Sequence, residues 1–359
     1  MVAILNPRHG AILNRHDGSE SPAGLEIAVS GTSSGSAPVL VNGVPAQTHA
    51  GRFRASVRLS ARQTTITATA GLESAAVTVL YDQASFARYR FSLDDNIWFL
   101  RDIAQKRYRS LFANPYMALW RRLHETYGTK VHCNLYFQCD DFNLTQMPDT
   151  YKAEWQDNAD WFRLTFHALQ NDPDKPYLSA GYEPVAHDVD IITAEILRFA
   201  GPSVLDTFTT IHWGEATRGG CRAVRDRGYH GLVGYFLLGQ DGEPAVSYYA
   251  DREQTRYLSE HDYWKDLDEN LIFVRHDMVV NSFPLAEIGP RLSAIAADPH
   301  QAEIMELMIH EQYFHPTYSA YIPEYAERCE TAVRWVTERG YAPVLYGDGF
   351  IGNTRSRLG

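Results

Sequence analysis

From residue 88 onward, short apolar runs alternate with longer amphipathic segments, and this alternation restricts the fold more than any other feature of the chain. Runs such as RYRFSL, VHCNLYFQ and FRLTF have the length of buried strands, and the segments between them have the length and periodicity of helices. Strands that alternate with helices form a parallel sheet with helices packed outside it. Seven or eight such units predict an α/β fold, a (β/α)7–8 barrel over residues 87–359.

Residues 1–86 differ in composition from the rest of the chain, because all seven Trp and all five Lys lie after residue 90. The stretch RFRASVRLS alternates apolar and polar side chains, which is typical of a strand with one buried face. The pair Asn42-Gly43 favours a tight hairpin, since both residues tolerate positive φ. The segment therefore predicts a small all-β sandwich of the immunoglobulin type. Packing or oligomer contact and carbohydrate contact both remain open as its role.

Charge and composition exclude several classes of function. The chain has 33 basic and 44 acidic residues, a net charge of −11, and no run of Lys or Arg, which argues against nucleic acid or an anionic membrane as its partner. No apolar stretch approaches the roughly 18 residues of a membrane span. The start of the chain lacks the pattern of a signal peptide, so the sequence predicts a cytoplasmic location. Four scattered cysteines without a CxxC pair predict reduced thiols. Whether the chain forms a homo-oligomer is left open.

A carboxylate or an imidazole follows six of the predicted strands. These residues are Asp94-Asp95, Asp140-Asp141, His167, His212, His276-Asp277 and His310-Glu311. The carboxyl ends of barrel strands meet at one face, so we expect these side chains to converge there. Carboxylate and imidazole ligands with open positions are typical of a catalytic divalent-metal site. The HExxH and Walker A motifs are absent, so P-loop nucleotide chemistry has no local support.

In order along the chain, these motifs resemble those of the polysaccharide deacetylase (NodB homology) superfamily. The segments concerned are RFSLDDN, VHCNLYFQ, WFRLTFHA, HWGEATRGGCRAVRDRGYHGLVGY, MELMIHEQYF and ERGYAPVLY. They span roughly residues 88–350, about three quarters of the chain. The resemblance implies a metal-dependent deacetylase barrel that acts on a carbohydrate.

The resemblance also implies roles for individual residues. Asp94 becomes the general base, Asp95 and His167 metal ligands, and His310 the general acid. The sequence departs from the family at Asn96, where the family has Gly, and the family's second His is missing.

That second His would stand four residues after the first, where this chain has Asn171. The third ligand must then come from elsewhere. His212 is the first choice and His187 the next, and water or Asp141 could also fill the position.

Five further residues are candidate substrate contacts: Asp141, Trp213, Arg275, His276 and Glu311. Trp213 suits stacking on a sugar ring. Five of the assignments have structural alternatives. Asp94 could cap the helix that opens at Ile97, Asp141 could cap a helix or belong to a loop turn, and His276 could belong to an ion pair with its neighbours. His187 could be a solvated helix residue, and Trp213 could belong to the core.

The function expected from these residues is hydrolysis of an N- or O-acetyl group on a sugar or oligosaccharide by metal-activated water. Zinc is the first choice of metal, with manganese, cobalt and nickel as alternatives. Two other functions remain open. One is a metal-dependent sugar epimerase or isomerase on the same barrel, and the other is a non-catalytic carbohydrate-binding protein.

Overall fold

A computed structural model describes residues 1–345 of the chain. Within them, one compact unit comprises residues 1–86 and 263–268, and a second comprises 87–262 and 269–345. No helix in this part of the chain is both long and apolar enough to cross a membrane. Residue 346, the last of the predicted strand APVLY, and the rest of the predicted second domain lie outside the described residues.

The first half of the described chain is rich in strands. In order, its elements are β1 (Val2–Asn6), β2 (Ile12–Leu13), β3 (Gly18–Ser21), β4 (Gly24–Ser33), β5 (Val39–Val41), β6 (Val44–Pro45), β7 (Gln47–His49), β8 (Arg52–Leu59), β9 (Gln63–Ala70), β10 (Glu73–Tyr81), β11 (Arg88–Asn96), α1 (Trp98–Lys106), α2 (Pro115–Tyr127), β12 (Val131–Tyr136), β13 (Gln138–Cys139), β14 (Phe142–Asn143), α3 (Lys152–Asp157) and β15 (Phe162–Ala168).

The second half alternates helices with shorter strands. Its elements are α4 (Tyr182–Phe199), β16 (Phe208–Thr209), α5 (Arg218–Arg225), β17 (Gly231–Gly234), β18 (Leu237–Leu238), β19 (Pro244–Ala245), α6 (Arg252–Glu260), β20 (Tyr263–Asp266), β21 (Leu271–Arg275), β22 (Met278–Val279), α7 (Leu285–Ala296), β23 (Ile304–His310), α8 (Tyr325–Glu338) and β24 (Ala342–Pro343).

Two mainly antiparallel sheets build the first unit. One has the order β1–β4–β8–β7, with β3 paired to β4, and the other has the order β2–β10–β9–β5–β6. In β8, Phe53, Val57 and Leu59 are buried between exposed polar residues, as the period-two pattern predicts. The N-terminal antiparallel sheets expected from the sequence are therefore present.

Residues 263–268 also belong to this unit, although the sequence analysis assigned no element there. The hydroxyl of Tyr263 donates a hydrogen bond of 3.0 Å to Asp82, and the indole of Trp264 donates one of 2.7 Å to the carbonyl of His9. These contacts fix the segment to the sheets of the first unit.

Parallel sheets form the second unit, as predicted. One has the order β15–β12–β11–β23–β22 with parallel register throughout, and β16, β17 and β21 pair in parallel in another. Parallel sheets bury both faces, and all nine residues of β11 are buried. The carboxyl ends of β11, β15 and β23 carry Asp95, His167 and His310.

The helices agree with the sequence in most places and differ in three. Helix α2 begins after Asn114, whose side chain accepts hydrogen bonds from the backbone of Tyr116 and Met117, with Pro115 in the first turn. The sequence predicts a helix over 97–112, but α1 ends at Lys106 because Arg107 is in the left-handed region at φ 49°, so the predicted continuation is wrong. The sequence also predicts a helix near 149–160, of which α3 covers only Lys152–Asp157, and it predicts none at the position of α6.

Candidate metal centre

Three buried side chains meet at the carboxyl ends of the parallel strands: Asp95, His167 and His212. The Oδ1 atom of Asp95 lies 2.9 Å from Nε2 of His167 and 3.2 Å from Nδ1 of His212. The two histidine nitrogens lie 3.2 Å apart. Asp95 is near the end of β11, with φ 62°, His167 is near the end of β15, and His212 opens a single turn of 3₁₀ helix after β16.

Hydrogen bonds behind the three residues fix which atoms face one another. The Nδ1 of His167 donates to the carbonyl of Thr210, and the Nε2 of His212 donates to the carbonyl of Asn171 at 3.2 Å. Each ring therefore turns its other nitrogen toward Asp95. The second carboxylate oxygen of Asp95 accepts a hydrogen bond of 2.9 Å from Gln312. Outer hydrogen bonds of this kind are what orient the ligands of metal sites.

The spacing of the three atoms fits a divalent metal ion. Metal–nitrogen and metal–oxygen bonds of about 2.0–2.2 Å place neighbouring ligand atoms roughly 2.8–3.1 Å apart in octahedral and roughly 3.3–3.6 Å apart in tetrahedral geometry. The observed separations of 2.9–3.2 Å lie close to these ranges. Asp95, His167 and His212 could therefore hold a metal ion. His212 is the residue that the sequence analysis gives as the first choice for the third ligand.

The same arrangement shifts the pKa values of two of these groups. Burial raises the pKa of Asp95, but hydrogen bonds from His167 and His212 and the nearby His310 outweigh it, and the pKa lies well below its ordinary value. Burial lowers the pKa of His167, but its hydrogen bond to Asp95 and the charges of Asp94 and Asp95 produce a net rise. The carboxylate is therefore ionised at neutral pH, as a ligand must be.

Asp94 does not cap a helix, so the structural alternative for this residue is wrong. The first turn of α1 is capped by Glu311, whose carboxylate accepts hydrogen bonds from the backbone of residues 97–99. Oδ1 of Asp94 instead accepts hydrogen bonds from Ser92 at 2.8 Å and from Asn134 at 2.5 Å. Among the described residues no donor reaches its other oxygen, and Asp94 lines the cavity beside the three candidate ligands.

That cavity has a volume of about 570 Å³, in the size range of small-molecule sites. Its lining includes Asp94, Asp95, His167, Thr210, His212, Trp213, Tyr235, His276, His310, Gln312, Tyr313 and Tyr318. The imidazole of His310 lies 3.0 Å from Oδ1 of Asn281. His276 lies 3.4 Å from the hydroxyl of Thr210, and burial lowers its pKa to about 4. Trp213 is 44% exposed.

Four of the candidate residues lie outside this cavity. The side chain of His187 is 70% exposed on α4 and contacts Asp188. Asp141 is 64% exposed and paired with Arg101 at the turn between β13 and β14. Arg275 bonds to the carbonyl of Ser259 and to the carboxylate beside it, Asp277, which fits the structural alternative. The fourth, Glu311, is fully buried, where it caps α1 and bonds to His315.

Several residues of the site were not singled out in the sequence. They are Tyr136, Asn134, Gln312 and Thr210. The strand β12 ends at Tyr136, and the following residues form a separate hairpin of β13 and β14. If the predicted strand had ended at Tyr136, this residue would have been a candidate instead of Asp140 and Asp141. The amide side chains of Asn134 and Gln312 carry no comparable signal.

Comparisons with known proteins give distant structural likenesses only. No protein-family model and no curated protein matches the sequence. A 4-α-glucanotransferase from Thermococcus litoralis matches 74% of this chain at 12% identity with a TM-score of 0.42, and this chain spans 39% of that protein.

Two further solved structures that match this chain are a CE4 family pseudoenzyme and a carbohydrate deacetylase. A CE4 family pseudoenzyme from Bacillus anthracis matches 75% of this chain and 67% of its own at 9% identity, with a TM-score of 0.33. The carbohydrate deacetylase Agd3 matches 91% of this chain and 70% of its own at 10% identity, with a TM-score of 0.34. Likenesses of this size add no functional argument, so the chemistry rests on the residues of the site.

Proposed function

We propose that the protein is a metal-dependent hydrolase that removes an N- or O-acetyl group from a sugar or oligosaccharide. One observation carries the proposal. Two imidazoles and a carboxylate, each oriented by an outer hydrogen bond, share a cavity with an unliganded carboxylate oxygen of Asp94 and with His310. Ligands, base and acid in one cavity are the parts that acyl hydrolysis needs.

Asp95, His167 and His212 would hold the ion, with zinc as the first choice for two nitrogen ligands and one oxygen. When bound, such an ion polarises a carbonyl and makes water more acidic. Asp94 would take the proton from the attacking water, because Ser92 and Asn134 hold one of its oxygens and leave the other to the cavity. His310, held by Asn281, would protonate the leaving group.

A carbohydrate substrate is supported by the aromatic lining of the cavity. Trp213, Tyr235, Tyr313 and Tyr318 offer ring faces, of which Trp213 is half-exposed. Aromatic faces suit the C–H face of a sugar ring. The backbone of Trp213 is in the left-handed region at φ 66°, a strained conformation for a bulky residue that often marks a functional position.

The proposal extends to the architecture. The parallel strands β11, β12, β15, β16, β17, β21 and β23 follow chain order, and we take them as the strands of a seven-stranded (β/α) barrel. The antiparallel sheets of residues 1–86 are taken as an immunoglobulin-like sandwich that is an accessory to it.

Two substitutions at adjacent residues test the function. Asp95→Asn should lower zinc content and acetate release together, because an amide is a poorer ligand than a carboxylate. Asp94→Asn should keep the metal and lower acetate release from acetylated sugars on the order of 10²–10⁴-fold.

Metal content is read by elemental analysis and product by acetate assay. Deuterium incorporation from heavy water at a sugar carbon, without acetate, would contradict the hydrolase and point to an epimerase or isomerase. A chain that binds acetylated sugars but turns none over would be a binding protein.

A further inference from the structure

A fourth potential ligand atom lies beside the candidate ligand atoms, and it belongs to Tyr136. Its hydroxyl oxygen is 2.5 Å from Oδ1 of Asp95 and 3.0 Å from Nδ1 of His212. The three candidate ligand atoms lie 2.9–3.2 Å from one another. The oxygen is therefore as close to two of the ligand atoms as those atoms are to one another.

The backbone and packing hold this oxygen in place. Tyr136 is the last residue of β12 and is 1% exposed. Its ring packs against the imidazoles of both His167 and His212, with centroids 5.2 Å away in each case. The hydroxyl also lies 3.2 Å from Nε2 of His212 and 3.3 Å from Oδ1 of Asn171.

Tyr136 lies on a different side of the site from the reacting groups. It lines a smaller cavity of about 220 Å³, together with Trp98, Gln138 and Tyr318. Asp95 borders both cavities, whereas Asp94 and His310 line only the larger one. If the Tyr136 oxygen bound the ion, it would occupy the coordination position that faces the smaller cavity. The coordination positions that face Asp94 and His310 would stay open.

We propose that Tyr136 is a fourth protein ligand of the metal ion, through its hydroxyl oxygen. The inference rests on the metal site of the proposed function. The neutral hydroxyl donates to Asp95 when no ion is bound, and on binding it turns its hydrogen toward Asn171 and its oxygen toward the ion. Asn171 stands where the deacetylase resemblance expects a histidine, and here it supports Tyr136 with its side chain and His212 with its carbonyl.

The test compares Tyr136→Phe with Tyr229→Phe in the full chain. Tyr229 is also a buried tyrosine of the second unit, and its hydroxyl bonds to Thr165 and to the backbone of residue 166, neither of which is a candidate ligand. Zinc affinity is measured by competition with a chromophoric chelator, and the ligand set by the visible spectrum of the cobalt(II) protein.

Tyr136→Phe should weaken zinc binding on the order of 10–100-fold and alter the cobalt(II) spectrum. Tyr229→Phe should change neither. Superimposable cobalt(II) spectra in a folded Tyr136→Phe variant would overturn the inference whatever its zinc affinity, because loss of an outer hydrogen-bond partner also weakens metal binding. Circular dichroism of the metal-free proteins checks the fold.

These readouts separate the inference from the proposed function, because neither uses a substrate. If Tyr136→Phe alters the cobalt(II) spectrum and wild type releases no acetate, the ligand stands and the hydrolase is wrong. If wild type releases acetate and Tyr136→Phe leaves the cobalt(II) spectrum unchanged, only the ligand assignment is wrong. If wild type binds no divalent metal, both fall.

Discussion

Strands β8 and β11 have nearly the same sequence pattern, yet they bury different parts of it. β8 reads RFRASVRL, with Phe53 2% exposed and Arg54 exposed. β11 reads RYRFSLDDN, and both Tyr89 and Arg90 are 0% exposed. The difference comes from the sheets, since the antiparallel sheet leaves one face of β8 in water and the parallel sheet covers both faces of β11.

The comparison shows what a buried polar face requires and what it provides. In β11 each polar side chain needs a partner, because an unpaired buried charge is costly. The parallel register sets Arg90 beside Glu306 and Asp94 beside His310, and Arg90 and Glu306 form an ion pair of 2.7 Å. Strand β11 thus buries polar side chains that cost stability along its length, and it carries the proposed reacting group Asp94 near its end.

The largest effect should come from breaking ion pairs of the two strands. Glu306→Gln removes the negative member of the buried ion pair with Arg90, and we expect a loss of about 3–5 kcal/mol in the free energy of unfolding. Glu26→Gln removes the partner of Arg58 on β8, where both side chains are about half exposed, and should cost much less, because exposed ion pairs contribute little. Urea denaturation of both variants measures the contrast, and equal losses would contradict it.

Much of the site was predictable from strand ends. A strand that ends in a carboxylate or a histidine presents it to the face where parallel strands converge, and this predicted Asp95, His167 and His212 as neighbours. The parallel sheet itself was predictable, because apolar runs alternate with helical segments at a regular interval.

The rest depends on contacts that no local pattern encodes. The helix-capping role of Glu311 requires α1 and β23 to be neighbours, which is a tertiary fact. Asp141 was misplaced because β12 ends at Tyr136 and a short hairpin follows. Burial of Arg90 could not be read from a pattern that it shares with Arg54.

A smaller effect should appear in the pH dependence of stability through His276. Burial lowers its pKa to about 4, whereas an unfolded histidine has a pKa near 6.5. As pH falls from about 6.5 to 4, the unfolded chain binds a proton that the folded chain does not, so stability is lost in that window. His276→Gln should therefore be more stable than wild type by about 2 kcal/mol at pH 5, with no such gain from this source at pH 8.

The control for His276 is His49, which is exposed in β7 of the first unit. His49→Gln removes an imidazole from the surface of the protein, and its pH profile is measured beside that of His276→Gln. Asp277, whose pKa burial raises to about 6, acts in the opposite direction in the same range, and its contribution cancels in the difference between variant and wild type. Denaturation with a chelator present gives the free energies, and a parallel pH profile for His276→Gln and wild type would contradict the assignment.

The smallest effect compares two serines at equivalent places in β8 and β11. Ser56 donates to Glu26 at 2.8 Å on an exposed face, and Ser56→Ala should change stability by no more than about 0.5 kcal/mol. Ser92 donates to Asp94 at 2.8 Å and accepts from Asn134 at 2.9 Å, all buried, so Ser92→Ala should cost about 1–2 kcal/mol. Asn134 still donates to Asp94 in that variant, so acetate release should fall by less than in Asp94→Asn. If the two serine variants lose the same stability, the polar face of β11 is held no more tightly than a solvated one, and the hydrogen bonds behind Asp94 do not fix its orientation.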